Sequence, residues 1–128
     1  MKTAVIKNLS RDAFLAWRGR LADSFTARLV GLLGRRRMEP GEALILRPCN
    51  SIHSWFMRFV FDAVFLDGEG QVIASFSRLP PFRIIKPVHG GETVIELPAG
   101  TLDGSGTRVG DVLVWFNEVR GGTSGEES

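Results

Sequence analysis

The ten residues Cys49-Asn50-Ser51-Ile52-His53-Ser54-Trp55-Phe56-Met57-Arg58 hold the only cysteine of the chain, one of its two histidines, a thioether and a guanidinium. Asp62 follows inside the apolar run Phe59-Val60-Phe61-Asp62-Ala63-Val64-Phe65-Leu66. A carboxylate with such neighbours must find a partner or shift its pKa. An imidazole titrates near neutrality and can donate or accept a proton. Asp62 would orient His53 or share its charge, and Arg58 would hold an anion by its planar fork. Glu96, near the end of a later apolar run, is a further acid-base group. The candidate catalytic residues are therefore His53, Asp62 and Glu96, and the candidate ligand contacts are Arg58, Trp55, Met57 and Asn50.

Each of these residues also has a structural reading. His53 is equally a satisfied core imidazole, Arg58 with Asp62 or Glu96 a structural ion pair, and Glu96 a clamp on Arg28 or Arg35. Alternation along an extended segment puts His53, Trp55 and Met57 on one face and Ser54, Phe56 and Arg58 on the other. Convergence of His53 and Arg58 then requires a twist or a bulge.

Other chemistries are weaker. Cys49, His53 and Met57 are soft ligands of the kind copper favours, but along a strand a four-residue spacing separates neighbours by about 13 Å, too far for one ion. No metal or cofactor is expected. No base and orienter can be read beside Cys49, so its thiol is expected to be structural. The glycines from Gly100 to Gly110 lack the Lys-Ser/Thr ending of a phosphate-cradling loop and read as a turn before a strand.

The elements that must position these groups are mostly strands. Thr3 to Leu9 reads as a strand, and Phe14, Trp17 and Leu21 fit either a helix or the returning arm of a hairpin. A helix begins near Asp23-Ser24 and closes at Gly34. Ala43 to Leu46, Ile52 to Phe59, Thr93 to Leu97 and Val112 to Val119 read as extended. Asp67-Gly68-Glu69-Gly70 joins Ala63 to Leu66 with Gln71 to Phe76 in a hairpin. Pro80-Pro81 and Pro87 bracket an irregular connection. The expected fold class is α+β: a compact β-rich single domain, mostly antiparallel, with one short helix, in which the strands can curl into a partly closed barrel.

A chain of 128 residues with 44% hydrophobic residues, nine Phe and three Trp has apolar material for one core. Residues 1–119 are expected to form that domain and 120–128, which end in the polar Gly121 to Ser128, a disordered tail. No run approaches the ~18 apolar residues of a membrane helix, and Lys7 interrupts the N-terminus too soon for a signal-peptide core. A cytoplasmic protein without a membrane partner is expected. The net charge of +2 hides the triplet Arg35-Arg36-Arg37, which suits a solvated loop after a helix or an acidic partner.

Six ordered segments, Arg28 to Arg35, Pro48 to His53, Phe56-Met57-Arg58, Asp62 to Asp67, Glu96 to Gly100 and Gly110-Asp111, resemble a prokaryotic family, the domain of unknown function 192. The likeness runs from about residue 3 to about residue 118. It implies a small β-rich domain with a short helix and favours the hairpin for residues 3 to 21. The shared positions it implies are Arg28, Gly31, Gly34 and Arg35, then His53, Met57, Asp62, Glu96, Pro98 and Gly100. Trp55 and Val60-Phe61 depart from the family pattern. The family implies no reaction. On the residues, the expected function is a domain for an unidentified small molecule, whose polar groups converge among aromatics, with or without catalysis. The rival is a module whose surface arginines take an acidic partner, nucleic acid included.

Overall fold

The computed structural model describes residues 3–22, 37–54 and 57–117. The expected helix from Asp23 to Gly34, most of the arginine triplet, Trp55 and the tail lie outside them. Strand β1 (Ala4–Asn8) and β2 (Ala13–Ala22) form the expected antiparallel hairpin. β3 (Glu42–Leu46) runs parallel to β2. β5 (Phe61–Leu66), β6 (Val72–Leu79), β8 (Thr93–Pro98) and β9 (Leu113–Asn117) complete a sheet of order β6-β5-β8-β3-β2-β1-β9. A separate ribbon pairs β4 (Ile52–His53) with β7 (Ile84–Ile85). The only described helix, α1, spans Thr101–Ser105.

The sheet curls until its two ends meet. Gly110 N–H donates to the Val72 carbonyl at 2.9 Å, Val72 N–H to the Asp111 carbonyl at 2.8 Å and Leu113 N–H to the Gly70 carbonyl at 2.9 Å, beside an isolated bridge between Gln71 and Val112. The product is a β-rich single domain built on a half-barrel, mostly antiparallel with one parallel pair.

Strand alternation gives the sheet two different faces. The concave face buries Ile6, Ile45, Val64, Leu66, Ile95 and Leu97, and Leu102 of α1 fills its end. On the convex face, Leu44, Leu46, Phe61, Ala63, Phe65 and Val94 are packed under Ile52, Met57 and Phe59, with Ile85 partly buried against them. The β4–β7 ribbon and the loop after it thus form a cover over one half of the half-barrel.

Two local expectations are corrected. The extended segment stops at His53: Ser54 hydrogen-bonds back to the 80–83 loop, and Met57 N–H folds onto the Ser54 carbonyl at 3.1 Å. The alternation expected through Arg58 is therefore not followed. The segment after Gly100 opens as a helix and not as a turn. Gly100 and Gly106 flank it with φ of 95° and 72°, a left-handed backbone that glycine takes at no steric cost.

Candidate functional site

Asp62 is fully buried, and its carboxylate faces the concave side. One oxygen accepts the Arg78 N–H at 2.8 Å; the other accepts Gly100 N–H at 3.1 Å and Leu102 N–H at 2.9 Å. Three amides solvate the charge that the apolar neighbours do not, and they tie β6, the β8 end and α1 to β5. Arg78 is held there with a φ of 56°. The expected pair with Arg58 is absent: Arg58 is exposed and makes no ion pair with Asp62. The sequence identified a buried carboxylate and left its partner open among Arg58, His53 and a backbone amide; backbone amides hold it.

Glu96 is also fully buried, on the opposite face. It stands across from Leu44 of β3 and Ala63 of β5, two members of the convex apolar layer. Its carboxylate is engaged, since among the described residues no buried side-chain oxygen or nitrogen lacks a partner. The cover carries His53, which is half-buried and also engaged. Within β4, Ile52 is the residue packed into the convex layer, so alternation turns His53 away from it. Met57 is buried in the same layer and Asn50 is exposed. The fold brings Glu96, Met57 and the strand of His53 to one side of the sheet, places Asp62 on the other and leaves Arg58 and Asn50 at the surface.

The cover is fastened by Ser54, whose buried hydroxyl donates to the Pro80 carbonyl at 2.6 Å and accepts Arg83 N–H at 2.8 Å. Cys49 is half-buried with its thiol 3.0 Å from the Ser51 carbonyl. Among the described residues no cluster of three or more His, Cys, Asp or Glu side chains has metal-holding geometry.

A second polar cluster was not legible beforehand. Buried Asn8 donates to Thr107 Oγ1 at 2.9 Å and to Asp111 Oδ2 at 3.0 Å. Arg11 grips Asp111 through Nε at 2.9 Å, and Arg108 N–H donates to it at 3.1 Å. The Arg11 side-chain bond, then those of Asn8 and the Arg108 amide, outweigh the opposing effect of burial and lower the Asp111 pKa from 3.8 to about 2. These residues lie about a hundred positions apart, and only the signature Gly110-Asp111 hinted at a structured turn. The cluster fastens the β1–β2 turn to the segment before β9.

The DUF192 family model, an uncharacterised ACR family, matches residues 6–115. The chain belongs to this family. A UPF0127 protein of Pyrococcus horikoshii is 34% identical over 120 residues, covering 88% of this chain and 99% of that one. One from Pyrococcus abyssi is 35% identical over 120 residues, covering 88% and 97%. A crystal structure of a protein of unknown function from Novosphingobium aromaticivorans superposes with a TM-score of 0.72 at 19% identity, covering 88% of this chain and 83% of that one. Another from Sinorhizobium meliloti, provisionally described as a transcription regulator, gives 0.71 at 24%, covering 89% and 92%. At these identities the two likenesses show the fold alone. No described helix is long and apolar enough to cross a membrane.

Proposed function

We propose that this DUF192 domain binds a small molecule on the convex face of the half-barrel, with Glu96 as its polar anchor and the β4–β7 ribbon as its cover. The observation that carries the reading is a fully buried carboxylate set between Leu44 and Ala63. Asp62 has an evident architectural use in its three amide bonds, whereas Glu96 sits with its engaged carboxylate inside the convex apolar layer. A leucine there would extend the apolar layer without the desolvation that a buried charge carries. Retention of the carboxylate fits a site that must present a negative charge or a hydrogen-bond acceptor to a ligand. Met57 supplies adaptable apolar contact. His53, on the covering strand, is the group this reading assigns as proton donor or acceptor.

The test is a thermal-shift screen of metabolites on wild type, Glu96→Gln and His53→Ala, since a ligand of the native state raises its stability by mass action. The expected result is a ligand-dependent rise in wild type that Glu96→Gln loses while its ligand-free melting stays near wild type. A large ligand-free loss in Glu96→Gln would make the residue a structural clamp and remove the reading.

A further inference from the structure

An open groove of about 410 Å³ lies between β2, the Pro40-Gly41 turn and the Pro98–Ser105 segment. It lies at the end of the half-barrel that α1 closes. Phe14 and Trp17 line it, and they are 57% and 52% exposed. Large aromatic rings left half in water suggest a contact surface.

The backbone under Trp17 is fixed in place. Both Trp17 N–H and Arg18 N–H donate to the Gly41 carbonyl, at 3.0 and 2.8 Å. Gly41 has a φ of 88°, and a Cβ on it would come 2.3 Å from the indole. The ring therefore lies directly on glycine backbone. Across the groove, a Cβ on Gly104 would meet nothing within 4 Å, so that wall leaves room. An aromatic face seated on backbone beside open space suits a flat ring, which can stack on its exposed side.

Two arginines stand on the rim, where the acids flanking the Pro40-Gly41 turn are already engaged: Glu39 pairs with Arg37 at 3.0 Å, and Glu42 accepts the Glu39 N–H at 2.8 Å. The Arg18 guanidinium donates to the Pro40 carbonyl at 2.8 Å, and that of Arg78 lies 3.7 Å from where a Cβ on Gly100 would be; Pro40 and Gly100 both line the groove. Both arginines are exposed, and neither has a carboxylate partner among the described residues. Lys7 stands 5.3 Å from the Phe14 ring centre, paired with Asp12 at 2.9 Å. Asp62 is the carboxylate beneath Gly100, and three amides already occupy it. Asp103 of α1 is exposed to solvent.

We propose that this groove binds single-stranded nucleic acid, with one base stacked on Trp17 beside Phe14 and the flanking phosphates held by Arg18 and Arg78. Every base offers a π face, so aromatic stacking under a cationic rim binds single strands with little regard to sequence. A duplex hides those faces. A neutral sugar or an uncharged peptide would make no use of two arginines lacking carboxylate partners.

Fluorescence anisotropy with end-labelled oligo(dT) and oligo(U) of about ten nucleotides tests the assignment. Trp17→Ala should weaken binding about 5- to 100-fold, the range that loss of one stacked base gives. Arg18→Ala and Arg78→Ala should each lower the slope of log affinity against log salt by about 0.7. Gly104→Phe fills the groove and leaves every cation in place; it should abolish binding while the melting temperature stays near that of wild type. Absence of saturable binding would overturn the proposal. So would wild-type affinity in both Trp17→Ala and Gly104→Phe, which would mark adsorption by charge alone. Equal affinity for the corresponding duplex, or full competition by a free mononucleotide at equal affinity, would overturn the single-strand assignment.

Discussion

Asp62 and Glu96 stand on adjacent strands one position out of register, Asp62 opposite Leu97 and Ala63 opposite Glu96, and their carboxylates lie on opposite faces of the sheet. Two buried acids so close along the backbone are therefore insulated from each other by the sheet. They do not form one acid-base centre. Asp62 gathers backbone amides at the concave end, and Glu96, whose carboxylate is already engaged, faces the convex side. Proton chemistry in this domain would have to pair Glu96 with a group of the cover or of the ligand.

Asp62→Ala should destabilise the domain by about 3 kcal/mol or more, because three amides lose a charged acceptor together. Asp62→Asn should cost less and still be harmful, since its amide nitrogen would face at least one N–H donor. Urea denaturation of both variants checks the order. A loss below about 0.5 kcal/mol in Asp62→Ala would show that water replaces the carboxylate.

The Asp111 cluster should give the fold an acid-sensitive component. Its folded pKa, about 2, lies below the ordinary 3.8, so the carboxylate contributes stability that is fully present above about pH 4. That contribution is lost as pH falls from about 4 towards 2. Asp111→Asn should be less stable than wild type at neutral pH, and the difference between the two should shrink through that window. Chemical denaturation at a series of pH values reads it directly.

Legibility in the sequence followed the range of the forces involved. The hairpin at Asp67 to Gly70 was readable because its turn is local: Asp67 Oδ1 accepts both Glu69 and Gln71 N–H at 2.9 Å. The burial of Asp62 was readable from its neighbours, and the faces of Val94, Glu96, Ile95 and Leu97 from alternation. The end of β4 at His53 was not, because Ser54 is captured by Pro80 and Arg83, far along the chain. Helix α1 was hidden for a similar reason. Its sequence, Thr101-Leu102-Asp103-Gly104-Ser105, has poor helix propensity, and Asp62 stabilises its first turn from 40 residues away.

Cys49→Ala should be nearly silent. The thiol is half-buried and lies 3.0 Å from the Ser51 carbonyl, so the expected loss is about 1 kcal/mol, at the low end of side-chain truncation. Ligand responses should persist in the variant. The alkylation rate of wild type at neutral pH gives an independent check: a slow rate marks an ordinary thiol, and rapid modification would reveal a low-pKa thiolate.

Two glycine substitutions should separate closure of the half-barrel from the shape of the aromatic groove. Gly70 has a φ of 84°, and a Cβ there would come 2.6 Å from the Leu113 carbonyl oxygen. That oxygen belongs to the seam where Leu113 N–H donates to the Gly70 carbonyl. Backbone meets backbone, and neither side can turn away, so Gly70→Ala must open the seam. Together with the strain of a left-handed alanine, a loss of about 2 to 4 kcal/mol is expected. Gly41→Ala carries the same kind of backbone strain, but its Cβ would strike the Trp17 indole, a half-exposed ring with solvent to move into. Its loss should be smaller, about 1 to 2 kcal/mol. Denaturation midpoints give the ranking, and tryptophan emission in a Trp55→Phe/Trp115→Phe background, where Trp17 is the one remaining indole, gives the cause: Gly41→Ala should alter the environment of Trp17 in the native state, whereas Gly70→Ala should leave that emission unchanged until it unfolds. Equal stability losses with unchanged emission in both would mean that the indole does not rest on Gly41.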